Sequence, residues 1–217
     1  MFFRRRKMFT IVIIALVSLT MLGSGFVALF SIPPDQGGDP DAERKLLEDE
    51  YAQRRQLAAS LSQSAENDPE NSALREALAD AWLDVYILAS YLGAQETDGA
   101  LAKALDLYAE LTAAGPDSDI QLKYATAAFY NRDFPLTGEL LTDLLAREPE
   151  NIDALTVYGQ YLFYGAADYA LAEQVWQEAL PLARDDTERS SIEYYISLAQ
   201  TAKNAAAESA ATENEDG

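Results

Sequence analysis

The chain contains no cysteine and no histidine. Without cysteine there is no disulfide, no thiol nucleophile, no thiolate-held zinc, no covalent haem attachment and no lipidated cysteine anchor. Without histidine the chain lacks the usual general base at neutral pH and the commonest metal ligand. Basic residues are also scarce, 16 Lys and Arg against 36 Asp and Glu, for a net charge of −20. Arg4, Arg5, Arg6 and Lys7 supply +4 of that sum before any acid occurs, so the remainder carries −24. A body that acidic repels phosphates, and nucleic acid is not expected as a partner. The plainest role of the charge is a solvated outer face. No stretch shows the period-two alternation of a half-buried strand. No Gly-rich phosphate loop, nucleophile elbow or metal-ligand cluster is present. The many carboxylates show no spacing that suggests an acid/base pair. The sequence therefore predicts a protein that is not an enzyme and has neither cofactor nor metal site.

What is present begins with the basic cluster of residues 1–7, followed by an uncharged, mostly apolar run over 8–32. Its 25 residues exceed the roughly 20 that a helix needs to cross a bilayer core. Positive charge precedes the run, and the first charge after it is Asp35. The positive-inside rule then predicts a single-pass anchor in a bacterial-type cytoplasmic membrane, with the N-terminus inside and the rest outside. Gly23 and Gly25 offer the competing reading of a cleaved signal peptide. The anchor is favoured because apolar character continues through residues 26–30. Residues 33–40, rich in Pro and Gly, read as a linker. A folded domain is expected over 41–203, and a disordered acidic tail over 204–217.

Between these flanks the pattern is helical throughout, predicting an all-α fold. Apolar residues recur at helical spacing, as in Leu46, Leu47, Tyr51, Leu57 and Leu61, then Leu74, Leu78, Trp82 and Val85. Leu57 and Leu61 are expected to face inward. Breakers at Asp68-Pro69, Gly93, Gly115-Pro116, Pro149 and Gly165 mark short helices.

The chain also repeats. FYNRDF begins at Phe129 and FYGAADY at Phe163, 34 residues later. DPEN at 68–71 matches EPEN at 148–151, with GPDS at 115–118 between them. A period near 34 with two helices per unit points to stacked helical hairpins, none of which buries its apolar stripe alone. Over residues 152–182, Tyr158, Gly159 and Leu162 precede Ala172, Trp176 and Ala179. Over 118–151, Tyr124, Ala125 and Ala128 precede Gly138, Leu141 and Leu144, closed by Pro149. Over 72–117, Leu78, Ala79 and Trp82 precede Ala104, Tyr108 and Leu111, with about thirteen extra residues near 90–99 that lengthen the helices or loosen the connection.

On these residues the chain resembles the tetratricopeptide repeat family over roughly residues 50–200. The resemblance implies a solenoid of about three repeats closed by a helix over 187–202. It also implies a concave face lined by the second, fifth, ninth, twelfth and thirteenth positions of each repeat. In the middle repeat those positions are Asp119, Leu122, Thr126, Phe129 and Tyr130; in the next they are Asp153, Thr156, Gln160, Phe163 and Tyr164. In the first they are Ala73, Glu76, Asp80, Leu83 and Asp84.

Leu122, Thr126, Phe129, Tyr130, Thr156, Gln160, Phe163 and Tyr164 are thus the candidate peptide-binding residues. Aromatics at helical spacing fill cores more often than they bind, so Phe129 and Phe163 have packing as their competing role. For Asp119 and Asp153, complementarity to a helix N-terminus is the simpler role. The Lys, Arg and Asn with which some family members grip a C-terminal carboxylate are absent from these positions. An apolar or mildly basic peptide suits the face better, including an amphipathic helix. Trp176 followed by IEYYISLAQTAK is similar to the tetratricopeptide subunit of c-type cytochrome assembly, although this chain shows neither the second membrane segment nor the cytoplasmic loop of those relatives. The expected function is a membrane-anchored adaptor or assembly factor. The alternative is a self-associating scaffold or an accessory subunit of a larger membrane complex.

Overall fold

The repeated proline motifs build the same turn twice. In the computed structural model, Asn71 and Asn151 each accept a hydrogen bond from the backbone N–H three residues on, that of Leu74 and of Ala154. Each also donates its side-chain N–H back to the first residue of its motif, Asp68 at 3.0 Å and Glu148 at 2.9 Å. The motif thus stops one helix and caps the next, satisfying N–H groups that a helix start leaves without partners. Asp117, Asp133 and Asp168 cap three further helices in the same manner.

The structure describes residues 40–94, 97–115 and 117–215, and eight α-helices occur among them without any strand. They are α1 (Pro40–Asn67), α2 (Ser72–Leu92), α3 (Thr97–Ala114), α4 (Ser118–Tyr130), α5 (Phe134–Arg147), α6 (Ile152–Tyr164), α7 (Tyr169–Ala179) and α8 (Asp186–Glu215). A 3-10 turn at Leu180–Leu182 links the last two. The all-α expectation is met among these residues. The basic N-terminus, the apolar run over 8–32 and linker residues 33–39 lie outside the described residues. No helix among the described residues is long and apolar enough to cross a membrane.

The helices form two compact units divided between Gly115 and Pro116, where the sequence predicted one domain over 41–203. In the first, α1 packs on α2 and α2 on α3. The extra residues near 90–99 lengthen its helices: α2 has 21 residues and α3 has 18, against 13 and 14 for α4 and α5. Gly93, with φ of +66°, ends α2 in the left-handed conformation that glycine adopts without strain.

The inward stripe of α1 differs from expectation. Ala58 is fully buried against Ala81, Val85 and Ala100, while Leu57 is 41% exposed. Tyr51, Arg54, Ala58 and Leu61 follow the three-and-four spacing of one helix face, and Leu57 stands about 100° away from Ala58. Arg54 fixes that phase by bonding Glu50 at 2.7 Å and Asp84 of α2 at 2.8 Å.

In the second unit, α4 pairs with α5 and α6 with α7; α5 also packs on α6, and α8 packs on α7. The tail expected to be disordered from residue 204 is helical through Glu215. Its Ala-rich run has the highest intrinsic helix propensity and contains no Gly or Pro before residue 216.

Candidate functional site

Small residues set how closely the helices of the second unit approach. A Cβ on Gly159 would lie 2.2 Å from the indole nitrogen of Trp176 and 2.5 Å from its Cε2. The missing side chain therefore seats a fully buried Trp176 directly against α6. The indole N–H donates to the Thr156 carbonyl at 3.2 Å, so the one polar atom of the ring is satisfied. At the α5–α6 crossing, a Cβ on Gly138 would lie 2.8 Å from the Tyr161 hydroxyl oxygen.

The two Phe-Tyr copies are brought together. The Phe129 ring lies 6.1 Å from Phe134, 6.3 Å from Tyr130 and 6.5 Å from Tyr164. Phe163 lies 5.1 Å from Tyr169, 6.0 Å from Trp176 and 4.7 Å from Tyr164. Each Phe therefore packs against the first aromatic of its own hairpin's second helix. Tyr164 stands outermost, 38% exposed, with Phe129 beside it. Tyr130, Leu122 and both Phe residues are half-buried. The turns after the two copies match as well. Arg132 and Ala167 both adopt positive φ, 60° and 54°, one residue before the capping Asp133 and Asp168.

Three of the eight candidates sit deeper than a concave-face position implies. Thr126 is 2% exposed, Thr156 1% and Gln160 1%. The two hydroxyls donate to backbone carbonyls one turn back, those of Leu122 and Ile152, each at 2.8 Å. Gln160 donates from Nε2 to the Tyr195 hydroxyl of α8 at 3.1 Å, and its buried Oε1 has no partner among the described residues. Tyr195 in turn stacks on Trp176 at 5.0 Å. These three side chains are withdrawn from a docked peptide, and the accessible part of the candidate set is Leu122, Phe129, Tyr130, Phe163 and Tyr164.

Sequence reasoning missed Tyr195. The signal was present, because Tyr195 follows Gln160 by 35 residues, close to one more repeat period. Burial, with Tyr195 and then Tyr194 nearby, pushes the Tyr164 hydroxyl well above its ordinary pKa, so the phenol stays a neutral hydrogen-bonding group.

The acids have structural occupations. Asp119 and Asp153 lie in first helical turns, as dipole complementarity requires, and Asp153 pairs with Arg184 at 2.6 Å. In the first unit, Asp80 accepts from the buried Tyr108 hydroxyl at 2.6 Å, and Asp84 holds Arg54. Gln121, buried and donating to the Leu140 carbonyl at 2.8 Å, links α4 to Asp143 and Arg147 of α5. Among the described residues no cluster of acids could hold a metal ion.

One contact predicts a pH response. Glu173 of α7 accepts from Lys203 and Gln200 of α8, and these bonds, Lys203 first, hold its carboxyl below the ordinary glutamate pKa. A carboxyl whose folded pKa is depressed adds stability above its unfolded value and loses it as pH falls through the folded value. The α7–α8 contact is therefore expected to weaken as pH drops below about 4.3. Hydrogen exchange at α8 amides should accelerate over that window, and Glu173→Gln should flatten the response.

Against known proteins, neither the family models nor the curated proteins gave a match to this chain.

Proposed function

We propose that the chain is a tetratricopeptide-type solenoid that captures a partner protein or peptide, held at the outer face of a cytoplasmic membrane by residues 8–32. The observation that carries this reading is the row formed by Phe129, Tyr130, Phe163 and Tyr164, a recurring aromatic pair on α4 and α6 that ends in an exposed Tyr164. Large, fairly rigid aromatics of this kind anchor interfaces. The matching turns at 68–71 and 148–151, and the glycines at the helix crossings, support the repeat reading. The partner is an apolar or amphipathic segment, because the accessible row offers rings and Leu122 but no cation. An export-associated assembly step, such as presentation of an apocytochrome, is one role for such a tether.

A photo-crosslinking residue placed at Tyr164 of the full chain, in its native membrane, tests the proposal. The expected result is a covalent adduct with a different protein at position 164 and none at exposed Gln177 of α7. An adduct only with a second copy would move the assignment to the self-associating scaffold. Equal labelling at both positions, or none, would remove the face from consideration.

A further inference from the structure

Tyr158 and Tyr161 lie on the side of α6 away from Thr156 and Gln160, given about 100° per residue. Their rings stack, with centroids 5.9 Å apart and planes 23° apart. Together with α5 they line an open groove of about 510 Å³ that includes Gly138, Glu139, Asp143 and Ala146. Gly138 leaves room beside the Tyr161 hydroxyl, so the rings form one wall of this groove. Glu139 and Asp143, one turn apart on α5, supply two carboxylates. Asp143 is fixed as an anion by Gln121 and then Arg147. Glu139 is exposed and has no ion pair among the described residues. The groove therefore combines a π wall with one uncompensated negative charge, on a chain that is itself strongly acidic.

We infer that this α5–α6 groove is a second docking site, separate from the aromatic row, and that it takes an arginine side chain presented by a partner peptide. A guanidinium is planar and weakly hydrated, so it stacks on tyrosine faces while its N–H groups reach a carboxylate at the edge. An ammonium matches the charge but not the flat wall, and an aliphatic side chain leaves Glu139 without a partner. The inference does not rest on the function proposed above, because none of its lining residues belongs to the candidate set on α4 and α6.

The test uses the full chain in detergent micelles with ring-labelled tyrosines, titrated with blocked tripeptides Gly-Arg-Gly, Gly-Leu-Gly and Gly-Glu-Gly. The arginine peptide is expected to shift the Tyr158 and Tyr161 ring signals saturably while leaving Tyr164 unmoved. Glu139→Gln, an exposed substitution that leaves the spectrum otherwise intact, should weaken that binding about two- to fivefold. Tyr158→Leu should weaken it by a similar factor, about two- to fivefold, through loss of a π face. Equal shifts with the leucine peptide, no shift with the arginine peptide, or unchanged affinity in Glu139→Gln would each overturn the assignment. A shift confined to Tyr164 would also overturn it, while leaving the aromatic-row proposal standing.

Discussion

Trp176→Ala is expected to destabilise the second unit by about 3–5 kcal/mol, the range for emptying a fully buried aromatic site. The ring has no solvent exposure, stacks on Tyr195 at 5.0 Å and lies 6.0 Å from Phe163. Its removal withdraws a packing partner from α6 and α8 together, and leaves the Thr156 carbonyl without its indole donor. Collapse into the space is resisted because Gly159 on the facing helix has no side chain to fill it. Small domains have only about 5–15 kcal/mol of stability in total, so the variant should lie close to unfolding at 37 °C. Urea titration of the full chain, followed by far-UV circular dichroism, should show the unfolding of the second unit moving strongly to lower urea. A midpoint change corresponding to less than about 1 kcal/mol would mean that the ring is not enclosed as described.

Gly159→Leu attacks the same contact from the other side. Even the first carbon of the new side chain would lie 2.2 Å from the indole nitrogen, well inside contact distance. Trp176 cannot swing aside without giving up both its stack on Tyr195 and its bond to Thr156. The helices must separate, at a cost of about 3 kcal/mol or more, the upper end for overpacking a well-filled core. Tryptophan fluorescence should shift to longer wavelength as water reaches the ring, with a parallel loss of stability. A variant with the parent's fluorescence and midpoint would show that α6 and α7 do not approach closely at this position.

Much of this arrangement is legible in the residues. The Asp and Asn caps, the proline turns and Gly93 mark most helix ends directly. Gly159 and Trp176 both stand at repeat positions, but their direct contact is seen only in the folded chain. Other features depend on packing partners that no local pattern names. Leu57 and Ala58 both fit an apolar helix, and the Arg54–Asp84 bond decides which of them turns inward. The two Phe-Tyr copies look equivalent in the sequence. The fold divides their labour, because each Phe meets a post-turn aromatic while Tyr164 is left outermost. Gln160 reads as a concave-face candidate until Tyr195 closes over it. Tyr158 stands in the sequence only as a repeat-pattern residue beside Gly159, yet it stacks on Tyr161 along an open groove. The division at Gly115-Pro116 was visible as a helix break, but a break alone does not distinguish a turn within one unit from a boundary between two.

The central claim is that paired helices cross where a missing side chain faces a large one, and that this crossing presents the aromatic row. A double-mutant cycle between Gly159→Ala and Trp176→Leu tests it most directly. Steric contact predicts that Gly159→Ala costs about 1–3 kcal/mol in the parent chain and less than about 0.5 kcal/mol once Trp176 is reduced to leucine. An equal cost in both backgrounds would contradict the account.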